Sequence, residues 1–125
     1  MYFSVRKKKE KKVKKIKKPK KRSKKSEKKE LDLAWSQHVK QRDEYTCQIC
    51  NKKVEGRNCN AHHIIPKSIK GMRWDIDNGI TLCYYHHKGP RFSPHANAIW
   101  FAFWLKTNKH AQFKYVIDKL AHLGK

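Results

Sequence analysis

Cys47-Gln48-Ile49-Cys50 and, 32 residues later, Cys83-Tyr84-Tyr85-His86 constrain this chain more than any other feature. Two pairs of soft donors with two-residue gaps can close on one tetrahedral ion, and closing them forces the intervening segment to double back. The set Cys47, Cys50, Cys83 and His86 is therefore read as a structural Zn²⁺ site. Cys59 lies outside either close pair and reads as a small residue of a strand. The N-terminus has no apolar signal core, so a reducing cytoplasmic compartment is expected, where paired cysteines hold metal more often than they form disulfides.

Charge sets the second constraint. Residues 1–30 hold 17 Lys or Arg against three Glu, a net of +14, and the remainder adds +8 to reach +22. The first segment has too few apolar residues to offset ordering entropy and is expected to be a disordered Lys-rich arm. Residues 31–125 are left to fold as one small domain. That core is modest, and a structural metal would support it. Neutralising phosphates releases counterions, so this charge favours polyanions such as nucleic acids without reading sequence. Pro19-Lys20-Lys21-Arg22 is also compatible with a nuclear import signal. The densest apolar run, 98–105, is far too short to span a bilayer, and no membrane partner is expected.

Periodicity predicts an amphipathic helix over 31–44 from Leu31, Trp35 and Val39. A knuckle at Cys47–Asn51 follows, then a strand over 59–65 ending at Pro66. A loop over 66–79 leads to a short strand over 80–83. A helix beginning near Cys83 should stop by Gly89-Pro90. Residues 95–106 predict a helix apolar nearly all round, expected to be buried or to serve as a partner face, and 110–123 an amphipathic one. Trp74 is either a core plug or a groove-facing wedge.

Interleaved with the zinc set stand His62, His63, Asn78 and His87. Together with Cys-x2-Cys, His-His-Ile-Ile-Pro and Leu-Cys-x2-His-His, this pattern resembles the HNH endonucleases of the His-Me finger (ββα-metal) class. Within that class it is most similar to the zinc-stabilised branch common in phage and bacterial genomes. The resemblance covers roughly residues 35–106. It departs from the family at the fourth zinc position, usually Cys and here His86, which leaves two consecutive histidines; the two-residue gap favours His86 for zinc.

The resemblance implies an α+β fold: a small ββα-metal domain with a zinc knuckle and flanking helices. It implies metal-dependent hydrolysis of DNA phosphodiester bonds, by nicking or double-strand cleavage. His63 stands at the general base, Asn78 at the motif asparagine and His87 at the last histidine. His62 and His87 would hold the catalytic divalent cation, Mg²⁺ or else Mn²⁺, Ni²⁺ or Co²⁺. Lys67, Lys70, Arg73, Lys88 and Arg91 surround the motif and are candidate DNA contacts. A phage or mobile-element origin, a monomer in the host cytoplasm and a phage packaging or other nucleic-acid-processing partner are further expectations. The alternative is a zinc-knuckle DNA-binding module without catalysis.

Overall fold

A computed structural model describes residues 23–124. The arm expected over 1–30, and the import-type run at 19–22 within it, lie outside the described residues as far as Arg22. Helix α1 spans Lys24–Arg42, so its first turns occupy 24–30, and its start lies seven residues before the predicted one. The Ser23 hydroxyl accepts from the Ser26 N–H at 3.2 Å and caps the helix. Glu27 in the first turn and Lys40 and Arg42 in the last complement the helix dipole. These signals outweigh the polar composition that made the segment read as an arm.

After α1 the chain reverses through Glu44 and Tyr45, both with positive φ. The knuckle follows as predicted. Asn51 N–H donates to the Cys47 carbonyl at 2.8 Å, and Asn51 takes a φ of 60°, a left-handed conformation that asparagine tolerates. An isolated bridge pairs Thr46 with Lys53 below this turn.

Strands β1 (Asn60–His63) and β2 (Gly79–Leu82) form a two-stranded antiparallel sheet. Asn60 faces Leu82, Ala61 faces Thr81, His62 faces Ile80 and His63 faces Gly79. Helix α2 (Tyr84–Lys88) follows β2 directly, with Cys83 as its cap, and completes the ββα unit. Two longer helices, α3 (Ala98–Asn108) and α4 (His110–Leu123), pack on each other as a hairpin. The mixture of helices with one small sheet is the α+β architecture expected of a ββα domain.

Helix α1 lies against the sheet at the Gly79 end. A Cβ at Gly79 would sit 2.4 Å from Val39 Cγ2 and 2.7 Å from Trp35 Cζ2, so only glycine permits this approach. The main core joins Cys47, Val54, Cys59, Ile80, Leu82 and Cys83 to Phe101 and Leu105 of α3. Burying a side chain such as Ile80 or Leu82 contributes about 1.5–3 kcal/mol. Cys59 is among these core residues, as its isolation from the close pairs suggested. A smaller cluster of Ile65, Met72 and Val116 ties the 64–78 loop to α4.

Helix α3 departs from the all-round burial its composition suggested. Phe101 and Leu105 are buried, while Ile99 is 85% and Phe103 67% exposed. The helix has the sheet core on one side and α4 on another, and no further layer reaches its outer face among the described residues. Trp74 is also no core plug: it is 40% exposed, and its indole N–H donates to Asp32 Oδ1 at 2.9 Å. No helix among the described residues is long and apolar enough to cross a membrane.

Candidate metal centres and active site

The knuckle and the start of α2 bring Cys47, Cys50, Cys83 and His86 together, with all four ligand atoms within 4.8 Å of one another. Two contacts position this set. The Gln48 N–H donates to the Thr81 carbonyl at 3.0 Å, hanging the knuckle on β2, and the His86 N–H points at Cys83 Sγ. His86 Nδ1 lies 3.2 Å from Cys83 Sγ and 3.8 Å from Cys47 Sγ. Bonds of about 2.3 Å to sulfur and 2.0–2.1 Å to nitrogen place tetrahedral S and N donors about 3.6 Å apart, so the Cys3His cluster is compatible with structural zinc.

Without a metal, burial and the surrounding N–H groups set the state of the thiols. Burial works to raise the Cys47 thiol, but N–H groups of Cys50, Cys83 and Ile49 outweigh it, and its pKa is lowered. Cys83 is pushed up to about 11, by burial first and by the neighbouring Cys47 charge as well. Several thiolates cannot share so small a space unless a cation is among them.

One peptide bond beyond His86, His87 faces a second centre. His62 of β1 lies edge-to-face with His87, their ring centroids 5.1 Å apart. His95, from the loop before α3, meets both rings, at 5.0 Å from His62 and 4.7 Å from His87. The ligand nitrogens of the three histidines all lie within 4.8 Å of one another. Burial, with the neighbouring imidazoles, pushes His62 down to about 3; burial, with His95 and Lys88, pushes His87 down to about 4. Both rings are therefore neutral at neutral pH, the state in which an imidazole nitrogen can bind a cation. His95 was not among the residues singled out from sequence. The one sequence signal for it is its place two residues before the helix-capping Asn97, which fixes its backbone.

His63 points the other way from β1. Its ring stacks on Trp35 of α1 at 3.7 Å and 10°. Trp35 is itself fixed by an indole N–H bond to the Asp75 carbonyl at 2.8 Å. His63 Nε2 lies 2.9 Å from the Arg73 carbonyl. A carbonyl can only accept, so Nε2 carries the proton and Nδ1 keeps the lone pair. Burial lowers the pKa of His63, and the Arg73 carbonyl opposes that shift. Despite their opposite faces, His62 and His63 line one cavity of about 370 Å³ together with His87, His95, Lys67 and Lys88.

Asn78 is fully buried and does not face that cavity. Its Oδ1 accepts from the Ile65 N–H at 2.7 Å, and its Nδ2 donates to the carbonyls of Ile65 and Met72 at 3.0 and 3.1 Å. The side chain bridges Ile65 and Met72, the two ends of the segment that carries Lys67 and Lys70.

The candidate DNA contacts divide. Lys67 and Lys88 line the histidine cavity. Lys67, Lys70 and Arg73 line an adjacent groove of about 720 Å³ with Trp74 and, from α1, Lys28. Arg73 is already engaged there: its Nη2 and Nε donate to Asp32 at 2.6 and 2.9 Å, holding the Asp32 carboxyl down at about 2. Arg91 is exposed between α2 and α3 and lines neither cavity.

Residues 47–89 match the family model for HNH endonuclease. This segment is similar to an HNH domain. It holds every member of the Cys3His cluster, both β1 histidines, Asn78 and His87, but not His95. No curated protein and no solved structure matches the chain significantly. An HNH domain implies a nuclease acting on nucleic acid and a divalent metal.

Proposed function

We propose that this protein is a metal-dependent HNH endonuclease that hydrolyses DNA phosphodiester bonds, by nicking or by double-strand cleavage. The single observation that carries this reading is the shared cavity: His62, His63 and His87 line it beside Lys67 and Lys88. Nitrogen donors, a base and phosphate-attracting cations are the parts that phosphodiester hydrolysis needs, and here they meet in one space.

His62 and His87 would hold the catalytic cation, Mg²⁺ or, given nitrogen donors, Mn²⁺, Ni²⁺ or Co²⁺. When bound, such a cation supplies charge stabilisation at the scissile phosphate and its leaving oxygen. His63 takes the proton from the attacking water at Nδ1, and the Arg73 carbonyl and Trp35 hold the ring so that this nitrogen stays free. Asn78 positions the loop rather than transferring a proton. Lys67 and Lys88 draw the phosphate in, with Lys70 and Arg91 as outer DNA contacts and the Lys-rich arm as a tether. The engagement of Arg73 with Asp32 gives it a bracing role as well as a charge beside the groove. Cys47, Cys50, Cys83 and His86 hold structural Zn²⁺. Phage origin, a nucleic-acid-processing partner, a monomeric state and a cytoplasmic setting belong to the same reading.

Supercoiled plasmid incubated with protein and Mg²⁺, Mn²⁺ or EDTA tests this proposal. Wild type should produce open circles or linear DNA only with metal. His63→Ala should lose at least about 100-fold in rate, as expected for a missing general base, while still folding cooperatively and keeping its gel shift. A gel shift without cleavage by wild type under every metal would instead favour the non-catalytic binding module.

A further inference from the structure

His95 lies outside the matched HNH segment, yet the chain takes trouble to hold it. Ser93 is fully buried; its hydroxyl donates to the Gly89 carbonyl at 2.6 Å and accepts from the Ala96 N–H at 3.2 Å. The Asn97 N–H donates to the Ser93 carbonyl at 2.8 Å, and the Asn97 side chain caps α3 through the Trp100 N–H at 3.0 Å. Pro94 stiffens the backbone between them. His95 thus stands on a braced turn, not on a loose loop. It is solvent-exposed, but its ring turns inward onto His62 and His87.

The distances distinguish a purpose. His95 Nε2 and His87 Nε2 lie 3.1 Å apart. A single hydrogen bond would account for that pair alone and leave the convergence of His62 unexplained. Metal–nitrogen bonds of about 2.0–2.1 Å put two ligand nitrogens about 2.9–3.4 Å apart, from octahedral to tetrahedral angles, and 3.1 Å falls inside that range. Among the described residues no carboxylate lines the cavity. Three imidazoles without a carboxylate suit a borderline first-row ion and suit Mg²⁺ poorly.

We propose that His95 is a third metal ligand beside His62 and His87, so that the centre takes Mn²⁺, Co²⁺, Ni²⁺ or Zn²⁺ in preference to Mg²⁺. This rests on the reading of His62 and His87 as metal ligands. A consequence is that the loaded ion ties α3 to the ββα unit, because His95 sits two residues before the Asn97 cap of that helix.

The test is Co²⁺ titration of the full chain carrying its zinc, followed by calorimetry and visible absorption, with zinc counted by mass spectrometry. Wild type should bind one Co²⁺ beyond the zinc, with ligand-field bands free of thiolate character. His95→Ala should weaken that binding by at least about tenfold, since loss of even an outer-shell partner of a metal site costs about 10–100-fold. The surface control His122→Ala should leave it unchanged. Mg²⁺ should compete only weakly for the wild-type site. If His62→Ala abolishes Co²⁺ binding but His95→Ala does not weaken it, the third ligand is refuted and the two-histidine reading stands. If neither variant alters Co²⁺ binding, both fall together.

Discussion

The two donor clusters meet at adjacent residues of α2, His86 and His87, and differ in their donors and in how far they are enclosed. The Cys3His cluster is the more closed: Cys47 and Cys83 are buried against core residues such as Val54 and Leu82, and its donors include three thiols, while the half-buried Cys50 and His86 reach a cavity of about 310 Å³ beside Lys52 and Lys53. The histidine cluster is open to a cavity, has only nitrogen donors, and is flanked by lysines. A closed thiol set can hold an ion permanently and make its binding energy part of folding. An open nitrogen set can keep positions for a substrate oxygen. The first sets the start of α2, and through it aims His87 into the second.

If that division holds, damage to the two clusters should separate stability from chemistry. The largest stability effect belongs to Cys83→Ala. Structural zinc sites contribute about 10–16 kcal/mol, more than the net stability of an ordinary domain, so this variant should lose its cooperative melt and its zinc. An unchanged melt would erase the contrast. His63→Ala should do the reverse, with cleavage lost and a cooperative melt kept, lowered only by the lost Trp35 stack and Arg73 contact.

Asn78→Ala comes next and should blur the contrast, because Asn78 serves the open site from within the core. It would strand the Ile65 N–H and deprive two carbonyls of a donor. Each buried group left unpaired costs about 1–3 kcal/mol. Urea denaturation should fall accordingly, and cleavage should drop through loss of loop order. A normal urea midpoint would show that water replaces the clasp.

The smallest effect probes how remote contacts steady the open site. Tyr115 of α4 donates its hydroxyl to Asp75 Oδ2 at 2.6 Å, and the Asp75 backbone holds Trp35 beneath His63. That bond to Asp75 raises the Tyr115 phenol from 10.0 to about 12. A raised folded-state pKa means that the contribution is complete below about pH 10 and is lost as pH rises through about 12. The stability difference between wild type and Tyr115→Phe should therefore be small, flat through neutral pH and absent at the alkaline end. A difference persisting at high pH would assign it to packing instead of the hydrogen bond.

Local spacing made the closed cluster legible before any coordinates. Two-residue gaps are short enough that the chain geometry dictates convergence, and the choice of His86 over His87 follows from the same gap. His62, His63, Asn78 and His87 were legible as a pattern, but their division of labour was not. Only the pairing of β1 with β2, and the approach of α1 at Gly79, send His63 to Trp35 and His62 to His87. His95 escaped because it belongs to no repeat or spacing; its position depends on the buried Ser93 turn. The early start of α1 escaped because Lys-rich composition hid a cap at Ser23. The exposed face of α3 escaped because composition reports apolarity and not how many neighbours are at hand to cover it.

The contiguity of His86 and His87 also bears on how this chain can change. An α-helix advances about 100° per residue. Inserting or deleting one residue between Cys83 and His87 would swing one of the two side chains to the wrong side of α2. Substitutions at Tyr84 and Tyr85, whose side chains are 62% and 51% exposed, carry no such penalty. This short stretch is therefore more tolerant in spelling than in length, and a one-residue change of length within it would separate the Cys3His cluster from the histidine cluster that α2 now joins.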